Sequence, residues 1–203
     1  MPPGWPARLR AGDQASGEIL IRPIRRRDQA AWFSVRERNR EWLSLWDGTA
    51  PDLGDRPRSF LEMVRAQLAA ARAGRGMPFV IEYDGRLVGG ISVNNIVRGS
   101  AYFASLGYWI DRDVAGRGIM PLAVAMVIDH CFSAAGLHRI EISIRPENTA
   151  SLRVVEKLGI QEVGYAPRYL HIDGAWRDHR MFAITVEECP QGLRSRLSQQ
   201  SHQ

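Results

Sequence analysis

A glycine turn, Gly116-Arg117-Gly118, separates a strand-like segment ending at Ile110 from a long apolar, helix-like segment that begins at Ile119. Backbone N–H groups at the start of a helix form an anion site, and glycine lets an anion approach them closely. An ordinary strand-to-helix turn also favours glycine, so this interpretation stays open beside the functional one. The turn predicts a site for a phosphate-bearing ligand at the start of this helix.

The periodicity of apolar residues predicts an α/β (α+β) fold with seven strands and four helices. Strands are expected at 18–24, 79–83, 86–93, 102–110, 140–144, 165–171 and 176–186, and helices at 27–46, 59–73, 119–136 and 151–158. A helix links the fourth strand to the fifth, so these two should run parallel in a mixed, mostly antiparallel, twisted sheet. If they pair over only part of their length and splay apart, a ligand gap opens beside the glycine turn.

The chain has 203 residues, 45% of them hydrophobic and 24% charged, which is typical of one globular domain. We expect a single domain over 19–187, with flexible segments at 1–18 and 188–203. The longest apolar segment, 119–128, is about half of what a bilayer crossing needs. No secretory signal is visible, so a cytoplasmic location without membrane contact is expected. The two cysteines, Cys131 and Cys189, fit neither a disulfide framework nor a metal site.

The formal net charge is +5 and the isoelectric point is about 9.7. The basic residues are scattered along the chain, apart from the run at 25–27. This distribution suits a surface biased toward phosphate ligands, and no direct nucleic-acid partner is expected.

A second motif, Arg145-Pro146-Glu147-Asn148-Thr149-Ala150-Ser151, follows the fifth strand. Together with the glycine turn, it resembles the GCN5-related N-acetyltransferase (GNAT) superfamily. The segments at 93–99 and 106–110 resemble more narrowly the RimJ/RimL branch, the ribosomal-protein-alanine N-acetyltransferases. The resemblance covers residues 19–187.

The resemblance implies acetyl transfer from acetyl-CoA to an amine on a GNAT fold, without a metal. The backbone N–H groups expected to hold the pyrophosphate of coenzyme A are those of Gly116, Arg117, Gly118, Ile119 and Met120. The family motif is matched only in its centre, because Ala115 and Met120 replace its first and last residues. An N–H group on the strand Tyr108, Trp109, Ile110 is expected to polarise the thioester carbonyl, with the pantetheine arm between the fourth and fifth strands.

The resemblance also assigns catalytic candidates. Ser151 is expected to hydrogen-bond the leaving thiolate, and Asn148 to hold the pantetheine arm or a water. A helix cap at Asn148 explains both residues without catalysis, and the two roles can coexist. The acid and base positions of related branches carry other residues here, namely Val155, Ser143 and Leu170. The general base is therefore unassigned; Glu141 is the best candidate, with an ion-paired surface role as its alternative.

The missing base favours an acceptor amine of low pKa. An α-amine is roughly a tenth neutral at pH 7, whereas a lysine amine is about 0.04% neutral. A protein N-terminus is thus the expected acceptor; a small-molecule amine and a non-catalytic acyl-CoA-binding module are the alternatives, and monomer and homodimer both stay open. The expected aromatic or titratable residues around the acceptor are Trp32, Trp42, Trp46, Tyr165, Tyr169, His171 and Trp176. Core or rim packing is the alternative role for most of them.

Overall fold

The computed structural model describes residues 1–12, 17–52 and 59–200, which form eight strands and six helices. The strands are β1 (Leu9–Ala11), β2 (Ile19–Pro23), β3 (Met77–Tyr83), β4 (Arg86–Val97), β5 (Phe103–Ile110), β6 (Arg139–Ile144), β7 (Gln161–Ile172) and β8 (Ala175–Thr185). The helices are α1 (Gln29–Arg38), α2 (Arg40–Ser44), α3 (Phe60–Arg72), α4 (Ile119–Ser133), α5 (Thr149–Lys157) and α6 (Arg194–Gln200).

The strands form one sheet in the order β1-β2-β3-β4-β5-β6-β8-β7. Every neighbouring pair is antiparallel except β5 and β6, which run parallel because α4 connects them. The register between β5 and β6 covers only Phe103–Ser105 against Arg139–Glu141. From Leu106 onward β5 pairs with β4 alone in the described sheet. The mixed fold, and the partial pairing of the predicted fourth and fifth strands, are therefore confirmed.

Helices cover both faces of the sheet. On β3, Phe79 and Ile81 belong to the large buried cluster that includes α4. Val80 points to the opposite face, where it joins a smaller cluster with Val35 of α1 and Val64 of α3. The α4 helix is apolar on nearly all sides because it lies between the sheet, α5 and α6.

The long helix expected at 27–46 is divided in the structure. A short 3₁₀ turn at Arg26–Asp28 precedes α1, and Asn39 breaks the path between α1 and α2 with φ −106° and ψ 16°. Asn39 is buried, and its side chain makes hydrogen bonds to residues of another segment. Side-chain partners distant in sequence therefore override the helical periodicity here.

Both ends of the chain differ from the expected loose segments at 1–18 and 188–203. The first segment contains β1, and Trp5 is buried against Phe79 with ring centroids 5.4 Å apart. The last segment contains α6, which is preceded by the fully buried Leu193. Each end is anchored by a single buried residue, Trp5 or Leu193, rather than by a periodic row of apolar residues. The periodicity of apolar residues therefore did not predict β1 or α6. Residues 13–16 and 201–203 lie outside the described parts.

A buried ion cluster ties β2 to the start of α1. The guanidinium of Arg22 donates to both carboxylate oxygens of Asp28 at 2.8 Å, and to Glu82 at 2.6 and 2.8 Å. Asp28 also accepts from the backbone N–H of Arg25 at 2.8 Å. Arg22 and Asp28 are each 5% exposed. The cluster therefore orients α1, which forms one wall of the cleft described below.

None of the helices in the described ranges is long and apolar enough to cross a membrane. The same residues contain no group of three or more His, Cys, Asp or Glu side chains placed to hold a metal ion. Cys131 and Cys189 are both free thiols, and burial raises the pKa of Cys131 to about 12.

Candidate active site

A cleft of about 880 Å³ lies beside the carboxyl-terminal half of β5, where β5 and β6 separate. Its walls come from α1 and α2, from β4 and β5, from the glycine turn with the first turn of α4, and from α5. The described residues that line the cleft include Trp32, Arg36, Trp42, Trp46, Asp47, Tyr108, Trp109, Ile110, Gly116, Gly118, Met120, Asn148, Ser151, Arg153 and Lys157. The cleft therefore joins the two motifs that the sequence singled out.

The glycine turn adopts a backbone that other residues rarely accept. Gly116 has φ +80° and Gly118 has φ +79°, both in the left-handed region. A Cβ atom at either position would meet no atom of the chain within 4 Å. The positive φ therefore favours glycine at both positions. Packing does not, because the space around each position beside the cleft is open. Gly118 is the N-cap of α4 without a side-chain cap, so the first N–H groups of α4 are left for a ligand.

Two of the predicted pyrophosphate-binding residues are placed differently from the others. Arg117 is exposed, and its guanidinium donates to the carbonyl of Asp113 at 3.1 Å. Ile119 is buried in the core. Neither residue is among the lining residues. For Arg117 and Ile119, therefore, the backbone N–H group and not the side chain is the candidate contact to a ligand.

We expect Gly118→Val to lower the affinity for coenzyme A by at least about tenfold. A β-branched residue at φ +79° is strained, so the start of α4 must shift and the N–H groups lose their arrangement. Isothermal titration with coenzyme A measures the effect. Gly99→Val is the matched control, because Gly99 has φ +73° and open space but lies outside the cleft. An equal loss of affinity in both variants would contradict this reasoning.

Asn148 and Ser151 lie together on the α5 side of the cleft. Asn148 is the N-cap of α5, and its Oδ1 accepts from the N–H of Ser151 at 3.0 Å. The capping interpretation is thus confirmed, and both residues still line the cleft. The phenol of Tyr108 lies 3.5 Å from the carbonyl of Ser151, at the long limit of a hydrogen bond. Burial raises the pKa of Tyr108 above its ordinary value, so this phenol stays neutral.

The structure does not bring Glu141 to the cleft. Glu141 lies in the paired part of β6, opposite Ser105 and Ala183. Its Oε1 accepts from Nε of Arg139 at 2.7 Å. The ion-paired role that the sequence left open is therefore the observed one, because the strands separate only beyond this position.

The expected aromatic residues divide into two groups. Trp32, Trp42 and Trp46 line the cleft, whereas Tyr165, Tyr169, His171 and Trp176 of the β7–β8 hairpin do not. His171 packs on Trp176 with centroids 5.5 Å apart, and the Tyr165 hydroxyl donates to Asp178 at 2.6 Å. Their placement around the acceptor amine therefore stays a prediction, and the described contacts show the packing role that the sequence left open.

The sequence patterns did not single out the charged cleft residues Arg36, Asp47, Arg153 and Lys157. Trp109 lines the cleft and meets Trp32 edge to face, with centroids 5.0 Å apart. The guanidinium of Arg36 lies over Trp109 at 5.3 Å and forms an ion pair with Asp47. Lys157 lines the cleft at the end of α5. Only Arg36 had a readable signal, since it lies one helical turn after Trp32 on the same face.

A buried polar cluster joins the α1–α2 break to the loop that follows β5. Asp111 is 2% exposed; its carboxylate accepts from Nδ2 of Asn39 at 2.7 Å and from Arg38. Oδ1 of Asn39 accepts in turn from the N–H of Arg112 at 2.9 Å. Burial alone would raise the pKa of Asp111, but the hydrogen bonds from Arg38 and Asn39 outweigh burial and hold it below its ordinary value. The helix break and the loop are therefore fixed to each other.

Comparison with known proteins assigns the chain to a family. Residues 18–161 match the model of the acetyltransferase (GNAT) domain. The structure is similar to Mycobacterium smegmatis RimJ in complex with CoA-disulfide, with a TM-score of 0.91 and 40% identity over 99% of this chain and 98% of that chain. The ribosomal protein uS5-alanine N-acetyltransferase of Escherichia coli is 28% identical over 86% of this chain and 91% of that protein.

A further relative matches a shorter segment. The probable N-acetyltransferase YjcK of Bacillus subtilis is 43% identical over 101 residues, which are 50% of this chain and 56% of that protein. The resemblance to the RimJ/RimL branch is confirmed by the longer matches, which cover most of both proteins. The chain therefore belongs to the acetyltransferase (GNAT) family.

Proposed function

We propose that the protein transfers an acetyl group from acetyl-CoA to the N-terminal α-amine of a ribosomal protein. The observation that carries the proposal is the cleft at the separation of β5 and β6. It brings the left-handed glycine turn and the hydroxyl-bearing first turn of α5 into one space. The names of the similar M. smegmatis and E. coli proteins support the same donor and acceptor classes.

The donor half of the cleft fits a phosphate-bearing thioester. Backbone N–H groups from Gly116 to Met120 bind the pyrophosphate, and the positive end of the α4 dipole adds to the attraction. Lys157 adds a positive charge to the same wall. The edge of β5 from Tyr108 to Ile110 offers backbone groups to the pantetheine arm, because β6 does not pair with this part of β5.

The chemical step needs an acceptor for the proton of the amine and a group that stabilises the leaving thiolate. Ser151 donates a hydrogen bond to the departing thiolate, and Asn148 fixes the turn that carries Ser151. An N–H group of β5 polarises the acetyl carbonyl. Since Glu141 lies outside the cleft, the amine loses its proton to water, which suits an α-amine better than an unperturbed lysine amine.

Release of free thiol from acetyl-CoA with a panel of peptides tests the proposal. The panel contains the N-terminal sequences of ribosomal proteins, including uS5, and the same peptides with a blocked N-terminus and an internal lysine. We expect thiol release that requires the free α-amine. Preference for lysine or for a small amine such as a polyamine would contradict the acceptor class. Coenzyme A binding without thiol release for every amine would contradict the enzymatic function.

We expect Ser151→Ala to lower kcat roughly 10- to 100-fold, while the KM for acetyl-CoA changes about twofold or less. The lost hydroxyl interacts with the thiolate only as the thiolate forms, so the transition state is affected more than substrate binding. Steady-state kinetics measure both constants. Thr149→Ala is the matched control, because Thr149 is an exposed hydroxyl on the same helical turn outside the cleft. Equal kcat values in Ser151→Ala and the parent would remove Ser151 from the mechanism.

A further inference from the structure

The described lining of the cleft contains one acidic side chain. Among the described lining residues Asp47 alone carries a carboxylate, whereas Arg36, Arg153 and Lys157 carry positive charges. Three tryptophans, Trp32, Trp42 and Trp46, line the same cleft. An amine that enters as an ammonium ion therefore meets attraction at a single charged position and repulsion at the others.

The main chain around Asp47 is held from three sides. The N–H of Asp47 donates to the carbonyl of Ser44 at 3.3 Å, at the end of α2. The carbonyl of Asp47 accepts from the N–H of Asp173, in the β7–β8 hairpin, at 3.2 Å. On the third side Arg145 lies over the Trp46 ring at 5.2 Å and donates to the carbonyl of Leu45 at 2.7 Å. Because Arg145 lies three residues before Asn148, the N-cap of α5, these contacts tie residues 45–47 to the segment that leads into α5.

The side chain of Asp47 is oriented but still accessible. Arg36 forms an ion pair with its Oδ2, and the Arg36 guanidinium is itself fixed over Trp109. The Asp47 side chain keeps 40% of its surface exposed. A carboxylate has about four acceptor positions, so one arginine partner leaves capacity for an ammonium group. The charged or titratable groups near residues 45–47 are Arg36 of α1, Arg145 before α5, and His171 and Asp173 of the hairpin.

We propose that Asp47 binds the protonated α-amine of the acceptor and positions it at the Ser151 end of the cleft. This inference rests on the proposed function and adds the residue that recognises the acceptor amine. Arg36 holds the carboxylate in place, and the tryptophan faces add cation–π attraction to the ammonium group. The amine gives up its proton to water before it attacks the thioester, so Asp47 contributes to acceptor binding rather than to turnover.

The test compares Asp47→Asn with Glu41→Gln, which removes an equal charge from an exposed position on α2 outside the cleft. We expect the KM for a free-amine peptide to rise roughly 10- to 100-fold in Asp47→Asn, with no change in the KM for acetyl-CoA. Asp47→Glu should recover part of the loss. The N-acetylated product peptide, which has no ammonium group, should inhibit the parent and Asp47→Asn equally. An unchanged KM for the peptide, or equally weakened binding of the acetylated peptide, would overturn the proposal.

A double variant separates the carboxylate from its partner. If the defect of Asp47→Asn came from the unpaired charge of Arg36, then Arg36→Gln/Asp47→Asn would regain the parent's affinity, and that result would overturn the proposal. We expect the defect to persist. Equilibrium binding of the peptide to the protein–coenzyme A complex gives an independent result. Binding of the free amine that depends on Asp47, without any turnover, would support the inference while contradicting the proposed function.

Discussion

We expect Asp28→Ala to lower the free energy of unfolding by about 3–5 kcal/mol, which is the range for removing one partner of a buried ion pair. The substitution leaves the guanidinium of Arg22 buried with Glu82 as its remaining carboxylate partner. It also removes the acceptor for the N–H of Arg25 at the start of α1. Urea denaturation at pH 7 measures the change.

The control for this prediction is Glu37→Ala, which breaks an ion pair of similar type on the surface. Glu37 and Arg40 are 68% and 72% exposed, so their pair contributes about 1 kcal/mol or less. A loss below about 1 kcal/mol in Asp28→Ala would show that the buried cluster does not stabilise the fold. If Asp28→Ala does not fold, Asp28→Asn, which keeps the shape of the side chain, gives the same comparison with a smaller loss.

We expect Asp111→Ala to lower the free energy of unfolding by about 2–4 kcal/mol and to weaken coenzyme A binding as well. The variant leaves the amide of Asn39 buried without its carboxylate, and it releases the loop that leads to the glycine turn. Arg38 is 43% exposed, so water solvates its guanidinium once Asp111 is removed. The expected loss of stability is therefore smaller than that of Asp28→Ala. Denaturation and titration with coenzyme A measure the two changes.

The same variant has a defined pH dependence. The folded-state pKa of Asp111 lies below its unfolded value of about 3.9. The contribution of Asp111 is therefore fully present above the unfolded pKa and is lost as the pH falls through the folded pKa. We expect the stability difference between parent and Asp111→Ala to shrink below about pH 4. Asp113→Ala removes an exposed acid two residues later. We expect it to change the free energy of unfolding only slightly, because it leaves the side-chain contacts of Asp111 intact. A difference that grows at low pH would contradict the assignment.

Local signals were sufficient to predict the glycine turn before α4 and the cap of α5. Gly116 and Gly118 have positive φ, and Asn148 caps α5, because these roles depend on a few neighbouring residues. The parallel pairing of β5 and β6 also followed from order alone, since a helix links them. These features could be read from the sequence because each is encoded within one turn or one connection.

Other features depend on contacts between distant parts of the chain. The break at Asn39 is explained by Asp111 and Arg112, more than 70 residues later, and helical periodicity contains no sign of either. Glu141 lies on the expected strand. Whether it falls inside or beyond the paired part of β5 and β6 depends on the register of these strands, which the sequence does not give. The ion pair between Arg36 and Asp47 likewise joins two segments whose separation is set by the same break.

The interruption between β5 and β6 creates a strand edge inside a sheet rather than at its border. An exposed edge on the outside of a sheet invites foreign strands and aggregation. Here the edge from Leu106 to Ile110 is recessed between α2 and α5, in a slot bordered by large aromatic rings. The backbone of β5 beyond Ser105 thus stays without a strand partner on the β6 side, inside a cleft rather than on the outer border of the sheet.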